Sequence, residues 1–449
     1  MSNAPTAPNS TLRGQVVFVT GAGRGLGRAI SAELAARGAR VVMMARSAPE
    51  LESAASDIRS SGGRADTFVG DVTDQAAMRR IVSEVEKSIG PIQVLINNAG
   101  VVTPIEPLSD ADHDDWWRDI EVNLRGPALC MRLVLPLMQL RRSGRIINVV
   151  SGAGISPFTY FSAYVASKTA LVRLTESVAA EVKPYGVSVF AMEPGTVATA
   201  MSDYSVTSDR GRRWIPWFRR IFDEKLNATP ERVARRAADL ASGKADALSG
   251  RYIALGEDLD TLVANAQRIV DEQLYSLRIK RLDASAVNPK LAAIRRESET
   301  ASANILQLRV TLPVSRDVAF SYWTDARAVE YWYLPETGAK WIRPPVTDAK
   351  PGGEFALEVA TAMETFRHMA RFRDVEAGRR LALDWSWETT SATLGAGSRT
   401  TVTVDFVDAD GGTDVIVVHE GFTSEQARDA FIAGWARCLT RIKTYAVRR

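Results

Sequence analysis

A chain of 449 residues exceeds what one hydrophobic core organises, and with 46% apolar and 24% charged residues it has material for two folded domains rather than for disorder. Its 56 Lys and Arg against 53 Asp and Glu leave a net charge of only +3, spread along the sequence, which excludes the basic footprint of a nucleic-acid binder. Cys130 and Cys438 stand far apart in apolar, helix-like stretches, and His113, His368 and His419 share no ligand spacing, so neither a disulfide nor a metal is expected.

Residues 1–12 are Pro-, Ser- and Asn-rich and read as a mobile tail, not a secretory leader. With no run of ~18 apolar residues, a cytoplasmic chain without a transmembrane segment is expected. From Gln15, short apolar runs (QVVFVT, ARVVMMA, ADTFVGDV, IQVLINNAG, GRIINVVS, VSVFAMEPG, RYIALG) alternate with helix-period segments. That alternation predicts an α/β domain over 13–283, a doubly wound parallel sheet of seven strands with helices on both faces. Residues 258–282 continue the pattern as an amphipathic helical extension, and 284–303, polar and Ala-rich, read as linker. Beyond Ile305 the period changes to two: ILQLRVTL, GEFALEVA, FRHMARFRDV, RLALDWSWE, RTTVTVDFVD and TDVIVVHEG are separated by Gly, Asp and Pro turns. An α+β domain over 304–449 follows, with an antiparallel sheet. Its last segment places Ala427, Phe431, Trp435, Cys438 and Ile442 at helical spacing behind Ser424 as N-cap, predicting one long closing helix.

The first strand runs into Thr20-Gly21-Ala22-Gly23-Arg24-Gly25-Leu26-Gly27 and then a helix, the setting in which glycines let a pyrophosphate approach backbone N–H groups at a helix N-terminus. The strict G-x-G-x-x-G spacing is not met; the pattern is T-G-x-x-x-G-x-G. Downstream, Tyr164 and Lys168 stand four apart in a helix-period segment, so both project from one face, where an ammonium beside a phenol favours the phenolate. Ser151 ends the preceding strand, thirteen residues earlier, where its hydroxyl can meet charge developing on a carbonyl oxygen.

Together with Asp71-Val72, Asn97-Asn98-Ala99-Gly100, Asn123 and Pro194-Gly195-Thr196-Val197-Ala198-Thr199, taken in this order, these motifs resemble the short-chain dehydrogenase/reductase family over roughly the first 260 residues. The resemblance implies a carbonyl–alcohol oxidoreductase with Ser151, Tyr164, Lys168 and Asn123 as catalytic set, Asn123 holding a water behind the lysine. It further implies a cofactor site of Gly21, Arg24, Gly25, Leu26, Gly27, Arg46, Asp71, Val72, Asn97, Ala99, Gly100, Tyr164, Lys168, Pro194, Gly195, Val197 and Thr199. Asp71 would meet the adenine, Asn97 to Gly100 would brace the sheet, and Pro194 to Thr199 would contact the nicotinamide carboxamide. The second strand ends at Ala45 with no carboxylate for a ribose 2′-hydroxyl, and Arg46 with Arg24 suits a 2′-phosphate, so NADP is favoured with NAD as alternative. Family members pair helices equivalent to 112–138 and 164–183, which implies a homodimer or homotetramer.

Residues 201–228 fall where the family inserts a substrate lid; Trp214, Trp217 and Phe218 stand there among basic residues. A lid over an apolar carbonyl or alcohol substrate, neutral or anionic, and a basic face for an anionic membrane both fit this composition. The second domain, with WTDA at Trp323–Ala326, the Pro351-Gly352-Gly353 turn and His419-Glu420-Gly421-Phe422, resembles the helix-grip (SRPBCC) superfamily of START-like proteins, polyketide cyclases and activators of heat-shock ATPases. That likeness implies a hydrophobic ligand or a protein partner; His419 is a catalytic candidate only on the weaker of two readings, the other being a satisfied core residue. A different class of function, a nucleotide-sensing binding protein or scaffold with a co-chaperone-like C-terminal domain, is opposed by the intact Ser151, Tyr164 and Lys168.

Overall fold

The computed structural model describes residues 12–279, 304–333, 339–361, 365–389 and 399–448. The tail up to residue 11 and the expected linker lie outside them. The chain divides into two compact units, one of residues 1–135 and 143–279 and one of residues 136–142 and 280–449.

In the first unit the chain alternates β1 (Val16–Thr20), α1 (Gly25–Ala36), β2 (Arg40–Ala45), α2 (Ala48–Ser60), β3 (Arg64–Val69), α3 (Gln75–Glu84) and β4 (Ile92–Asn97). It goes on through α4 (His113–Ile120), α5 (Gly126–Arg141, of which the residues up to 135 belong to this unit), β5 (Gly144–Val149), α6 (Ser162–Val182) and β6 (Val187–Glu193). The short α7 (Ala200–Thr207), α8 (Asp209–Trp214) and α9 (Arg220–Asp223) precede α10 (Pro230–Ala241) and β7 (Tyr252–Ala254). The seven strands pair in parallel in the order β3-β2-β1-β4-β5-β6-β7.

Helix starts follow local chemistry. Ser47 accepts from the Glu50 N–H, Asp74 from Ala76 and Ala77, and Thr229 from Arg232 with Pro230 behind it, each satisfying N–H groups that a helix leaves open. Because strand side chains alternate, Val17 and Val19 face one layer and pack with Ile30 and Leu34 of α1, Leu51 of α2 and Val233 of α10. Each of these fully buried aliphatic side chains stabilises the layer by roughly 1.5–3 kcal/mol. The sheet order reverses between β1 and β4, which opens a crevice at the C-terminal strand ends, where ligands of doubly wound sheets sit.

The extension after β7 differs from the single helix expected over 258–282. It is two short helices, Leu259–Ala264 and Ala266–Asp271, broken where the Asn265 amide donates to the Thr261 carbonyl. The chain then turns through Gln273 and Tyr275, both at positive φ, and the Tyr275 carbonyl accepts from the Tyr252 N–H of β7. Pairing with the sheet edge overrides the helical period; residues 280–282 lie outside the described ones.

The second unit is an antiparallel sheet of β8 (Ile305–Leu312), β9 (Lys340–Thr347), β10 (Glu354–Ala360), β11 (Thr365–Glu376), β12 (Arg380–Thr389), β13 (Thr400–Ala409) and β14 (Gly412–Glu420). They order β8-β14-β13-β12-β11-β10-β9. Helices Arg316–Thr324 and Ala326–Tyr333 follow β8, and Glu425–Arg448 closes the unit, with Ser424 accepting from the Ala427 N–H at 3.2 Å. Alternation is clean in β8, where Leu306, Leu308, Val310 and Leu312 are buried and their neighbours are not. Strand β9 has no counterpart in the sequence reading: Pro344 and Pro345 interrupt its pattern, and such residues are tolerated because it lies at the sheet edge.

His419 is fully buried in this core. The Trp435 indole N–H donates to its Nδ1 at 3.1 Å, so Nε2 carries the proton and donates to the Thr400 hydroxyl at 2.7 Å. With both nitrogens satisfied, it is a core residue, as the second of the two sequence readings has it.

Candidate active site

A cavity of about 860 Å³ opens at the C-terminal ends of β1, β2, β3, β4, β5 and β6. Its floor is the turn between β1 and α1. Gly21 has a φ of +64°, and a Cβ there would stand 2.8 Å from the Ala99 Cα; one at Gly27 would stand 2.1 Å from the Gly21 carbonyl oxygen. Only glycine fits either position. The first turn of α1 presents its N–H groups to the cavity, and among the described residues no side chain caps them.

The turn is fastened to β4 by two side chains. Thr20 Oγ1 accepts from the N–H groups of Asn98 and Ala99, each at 3.1 Å, while the Asn98 amide donates to the carbonyls of Thr20 at 3.0 Å and Gly21 at 3.1 Å. Asn98 is therefore the brace, whereas Asn97 faces the sheet interior, donates to Asn148 at 2.8 Å and does not line the cavity.

The expected residues Gly21, Arg24, Gly25, Leu26, Gly27, Arg46, Asp71, Val72, Ala99, Gly100, Pro194, Gly195, Val197 and Thr199 all line it. At one end Arg46 stands 3.8 Å from Asp71 and Arg24 stands 3.4 Å from Glu50, all four at the rim of the glycine turn. Burial raises the Asp71 carboxyl, but hydrogen bonds from the Thr73 N–H and hydroxyl, with Arg46 nearby, outweigh it and hold Asp71 below its usual range. Glu50 and Ser47, which also line this end, are absent from the sequence reading.

At the other end stand Ser151, Tyr164 and Lys168. Four-residue spacing on α6 puts the Lys168 ammonium 5.7 Å from the Tyr164 ring centre, and its Nζ donates to the Val149 carbonyl at 2.9 Å. The Ser151 hydroxyl stands near enough to the Tyr164 side chain to favour its phenolate. Asn123 lies behind the wall: its amide exchanges two hydrogen bonds with the Val101 backbone, each at 2.9 Å. A Cβ at Gly100 would stand 3.1 Å from Asn123 Oδ1 and 3.7 Å from Lys168 Nζ, so the asparagine and the lysine converge behind that glycine.

In the protein alone, burial outweighs the neighbouring cation. Burial pushes the Tyr164 phenol up to about 12, against the lowering effect of the Ser151 hydroxyl, and the Asp119 and Glu193 carboxylates push it the same way. Burial also brings the Lys168 ammonium down to about 8, opposed by Asp119. The lowering expected from the sequence counted the ammonium together with a positive nicotinamide ring, and left out the low-dielectric surroundings. Asp119 itself is fully buried, accepts from the Thr103 N–H with both oxygens at 3.1 Å, and is raised to about 7 by burial despite those bonds. Asp119 and Glu193 escaped the sequence reading, because each looks like an ordinary surface carboxylate there.

The segment after β6 folds over this end as α7, α8, a short 3-10 turn at Pro216–Arg219 and α9. Trp217 and Phe218 line the cavity, joined by Phe158, Phe161, Met201 and Tyr204. Trp214 does not; its ring packs on Tyr160 at 4.9 Å and supports the lid from behind. Among the described residues no three His, Cys, Asp or Glu side chains gather as a metal site would require, and no helix is long and apolar enough to cross a membrane.

Comparison with known proteins agrees with this architecture. The short chain dehydrogenase family model matches residues 15–210, and the model for Activator of Hsp90 ATPase homolog 1-like proteins matches residues 313–446. A short chain dehydrogenase of Pseudocercospora fijiensis is 33% identical over 290 residues, which span 62% of this chain and 93% of that one. Among solved structures, a gluconate 5-dehydrogenase from Burkholderia cenocepacia in complex with NADP and tartrate superposes with a TM-score of 0.50 at 28% identity, covering 55% of this chain and 96% of its own. A variant of actinorhodin polyketide ketoreductase with NADPH does so with a TM-score of 0.50 at 29% identity, over 54% and 95%. The glycine turn, the parallel sheet and these matches make the chain an oxidoreductase of the short-chain dehydrogenase family, joined to a C-terminal unit that is similar to the Activator of Hsp90 ATPase homolog 1-like proteins.

Proposed function

We propose that the first unit interconverts a carbonyl and an alcohol with NADP, and that Tyr164 moves the proton. The observation that carries the reading is one cavity with a glycine cradle at one end and the hydroxyls of Tyr164 and Ser151 above a buried ammonium at the other. The cradle fits a dinucleotide: the missing Cβ at Gly21 and Gly27 lets the turn pack tightly on itself and on Asn98 and Ala99, and the open first turn of α1 offers N–H groups to a pyrophosphate. Arg46 and Arg24, with no carboxylate at the β2 end, favour a 2′-phosphate, in line with the NADP-bound neighbours. When bound, the cofactor supplies or accepts the hydride.

The chain's own residues do the rest. Ser151 donates to the substrate oxygen and fixes its position, Tyr164, protonated at neutral pH, gives that oxygen its proton, and Lys168 stabilises the phenolate left behind. Asn123 holds the Val101 backbone beside the lysine, at the place where a water would carry the proton onward. The lid aromatics exclude bulk water from this end.

The test is Tyr164→Phe, assayed by NADPH oxidation against a panel of aromatic ketones, quinones and aldehydes. The expected result is a fall in kcat of ~10²–10⁴-fold with NADPH affinity within a few-fold of the parent. Unchanged turnover would remove Tyr164 from the mechanism.

A second reading concerns the C-terminal unit, which we infer holds an oxygen-bearing apolar ligand. Trp323 Nε1, Trp385 Nε1 and His368 Nδ1 are buried and find no hydrogen-bond partner among the described residues, and their rings cluster: Trp323 and Trp385 flank Trp435 at 5.7 and 5.8 Å, and His368 lies 5.6 Å from Trp385. Buried polar atoms are rarely left unmatched. Titrating the protein with naphthols while reading tryptophan fluorescence should give a saturable change that Trp385→Phe diminishes; a linear response in both would favour a protein partner.

A further inference from the structure

The substrate half of the cavity carries a charge pattern that the lid sequence does not suggest. Among the described residues lining the cavity, the charged ones are Arg24, Arg46, Glu50, Asp71, Lys168 and Glu193. The first four stand at the glycine-turn end, which leaves Lys168 and Glu193 near Tyr164. The lid arginines, which on sequence composition could welcome an anion, line none of it. Arg210 reaches Glu106 at 3.4 Å, Arg219 pairs with Asp223 at 3.6 Å, Arg220 pairs with Glu224 at 2.7 Å, and Arg212 pairs with Asp209. Arg213 lies over the Trp214 ring at 4.8 Å.

Glu193 is the last residue of β6. Its Oε1 accepts from the Gly195 N–H at 2.6 Å and its Oε2 from the Leu255 N–H at 3.4 Å, so the carboxylate is held at the cavity wall rather than free to swing away. It is close enough to Tyr164 for its charge to be felt there. Among the described lining residues the one cation at this end, Lys168, is committed to the Val149 carbonyl and stands behind the phenol. A second carboxylate entering this half would lose its hydration among Phe158, Phe161, Trp217 and Phe218 and meet a fixed negative charge, with no free cation to repay the loss.

We propose that the cavity selects uncharged aromatic or alicyclic carbonyl compounds, and that Glu193 is a specificity-determining residue that rejects carboxylated analogues. Rejection by a like charge is a common way of building discrimination where apolar contacts alone give little. The inference rests on the proposed carbonyl chemistry at Tyr164 and deepens it, since sugar acids and ketone acids are excluded on charge.

The experiment compares 2-acetylnaphthalene, 6-acetyl-2-naphthoic acid and the methyl ester of that acid, with the full chain and saturating NADPH. The ketone and the ester should react with kcat/KM within ~5-fold of each other and the acid at least ~30-fold below the ester, through KM. Glu193→Gln keeps one acceptor oxygen, for the Gly195 N–H, while the Leu255 N–H retains the Glu193 backbone carbonyl; it removes the charge and should raise the acid-to-ester ratio at least ~5-fold. Calorimetric binding of acid and ester to the NADP-saturated chain reads the same preference without turnover. If no ketone reacts, the catalytic reading falls, while the binding ratio still decides the charge selection. An acid that binds or reacts as well as its ester, or a ratio that Glu193→Gln leaves unmoved, overturns the proposal.

Discussion

Raising the pH through about 8 should separate the two directions of the reaction, because the proton poise of the site is set by burial. Lys168 is brought from 10.5 down to about 8, while Tyr164 is raised from 10.0 to about 12. At pH 7 the working form for reduction, a neutral phenol beside an ammonium, is therefore the dominant one. The first proton lost as pH rises belongs to the pair and leaves near 8. Reductive kcat/KM should be flat from pH 7 to about 8 and then fall tenfold per unit, roughly 30-fold by pH 9.5. Alcohol oxidation needs the phenolate beside the ammonium, a form one proton poorer, so its rate should climb tenfold per unit below about 8 and level off above it. Asp119 favours the charged lysine, so Asp119→Asn should move both breaks to lower pH. The assay is kcat/KM in each direction between pH 6 and 10 with saturating cofactor and one neutral ketone–alcohol pair. A reductive profile flat to pH 10, or a break that moves upward in Asp119→Asn, would refute this account of the pair.

Gly27→Ala should weaken NADPH binding at least ~100-fold and lower stability by ~1–3 kcal/mol, since the new Cβ would stand 2.1 Å from the Gly21 carbonyl oxygen and 2.6 Å from the Asn98 amide; fluorescence titration and thermal unfolding read both. Arg46→Asp should shift the ratio of kcat/KM from NADP toward NAD by ~10-fold or more, as a carboxylate replaces the partner of a 2′-phosphate; an unmoved ratio removes Arg46 from cofactor selection. Acid should unfold the C-terminal unit early. Burial lowers His368 to about 4 and His419 to about 3, so the unfolded chain, with histidines near ~6.5, takes up protons first. Stability is complete above that pH and is lost as pH falls, by roughly 5 kcal/mol for the two histidines at pH 4.5. Calorimetry that finds the same transition at pH 7 and 4.5 would contradict it.

Much of the fold was legible because the two units bury their strands differently. In the parallel sheet β1 and β6 are covered on both faces and read as unbroken apolar runs, while β8 and β14 show one buried residue in two. What escaped lay where tertiary pairing competes with local preference. Strand β9 hides behind two prolines that only an edge tolerates, and the helix expected over 258–282 breaks at Asn265 because the chain returns to pair with Tyr252.

The site divides along similar lines. Tyr164 and Lys168 were legible together because four residues on a helix fix their relation whatever surrounds them. The choice between Asn97 and Asn98 was not, because consecutive residues at a strand end face opposite sides and a two-asparagine motif does not say which one turns to the cavity. Charge was least legible of all. Six Lys and Arg crowd the segment RGRRWIPWFRRIFDEKL, yet Arg210, Arg212, Arg219 and Arg220 spend their charge on carboxylates away from the cavity. Glu193, a lone acidic residue in AMEPG, is instead the group fixed at the wall beside the phenol. Composition counts charges, whereas selectivity follows the few that are both held in place and partly desolvated. For that reason the substrate's charge is better argued from one immobile carboxylate than from a cluster of paired arginines.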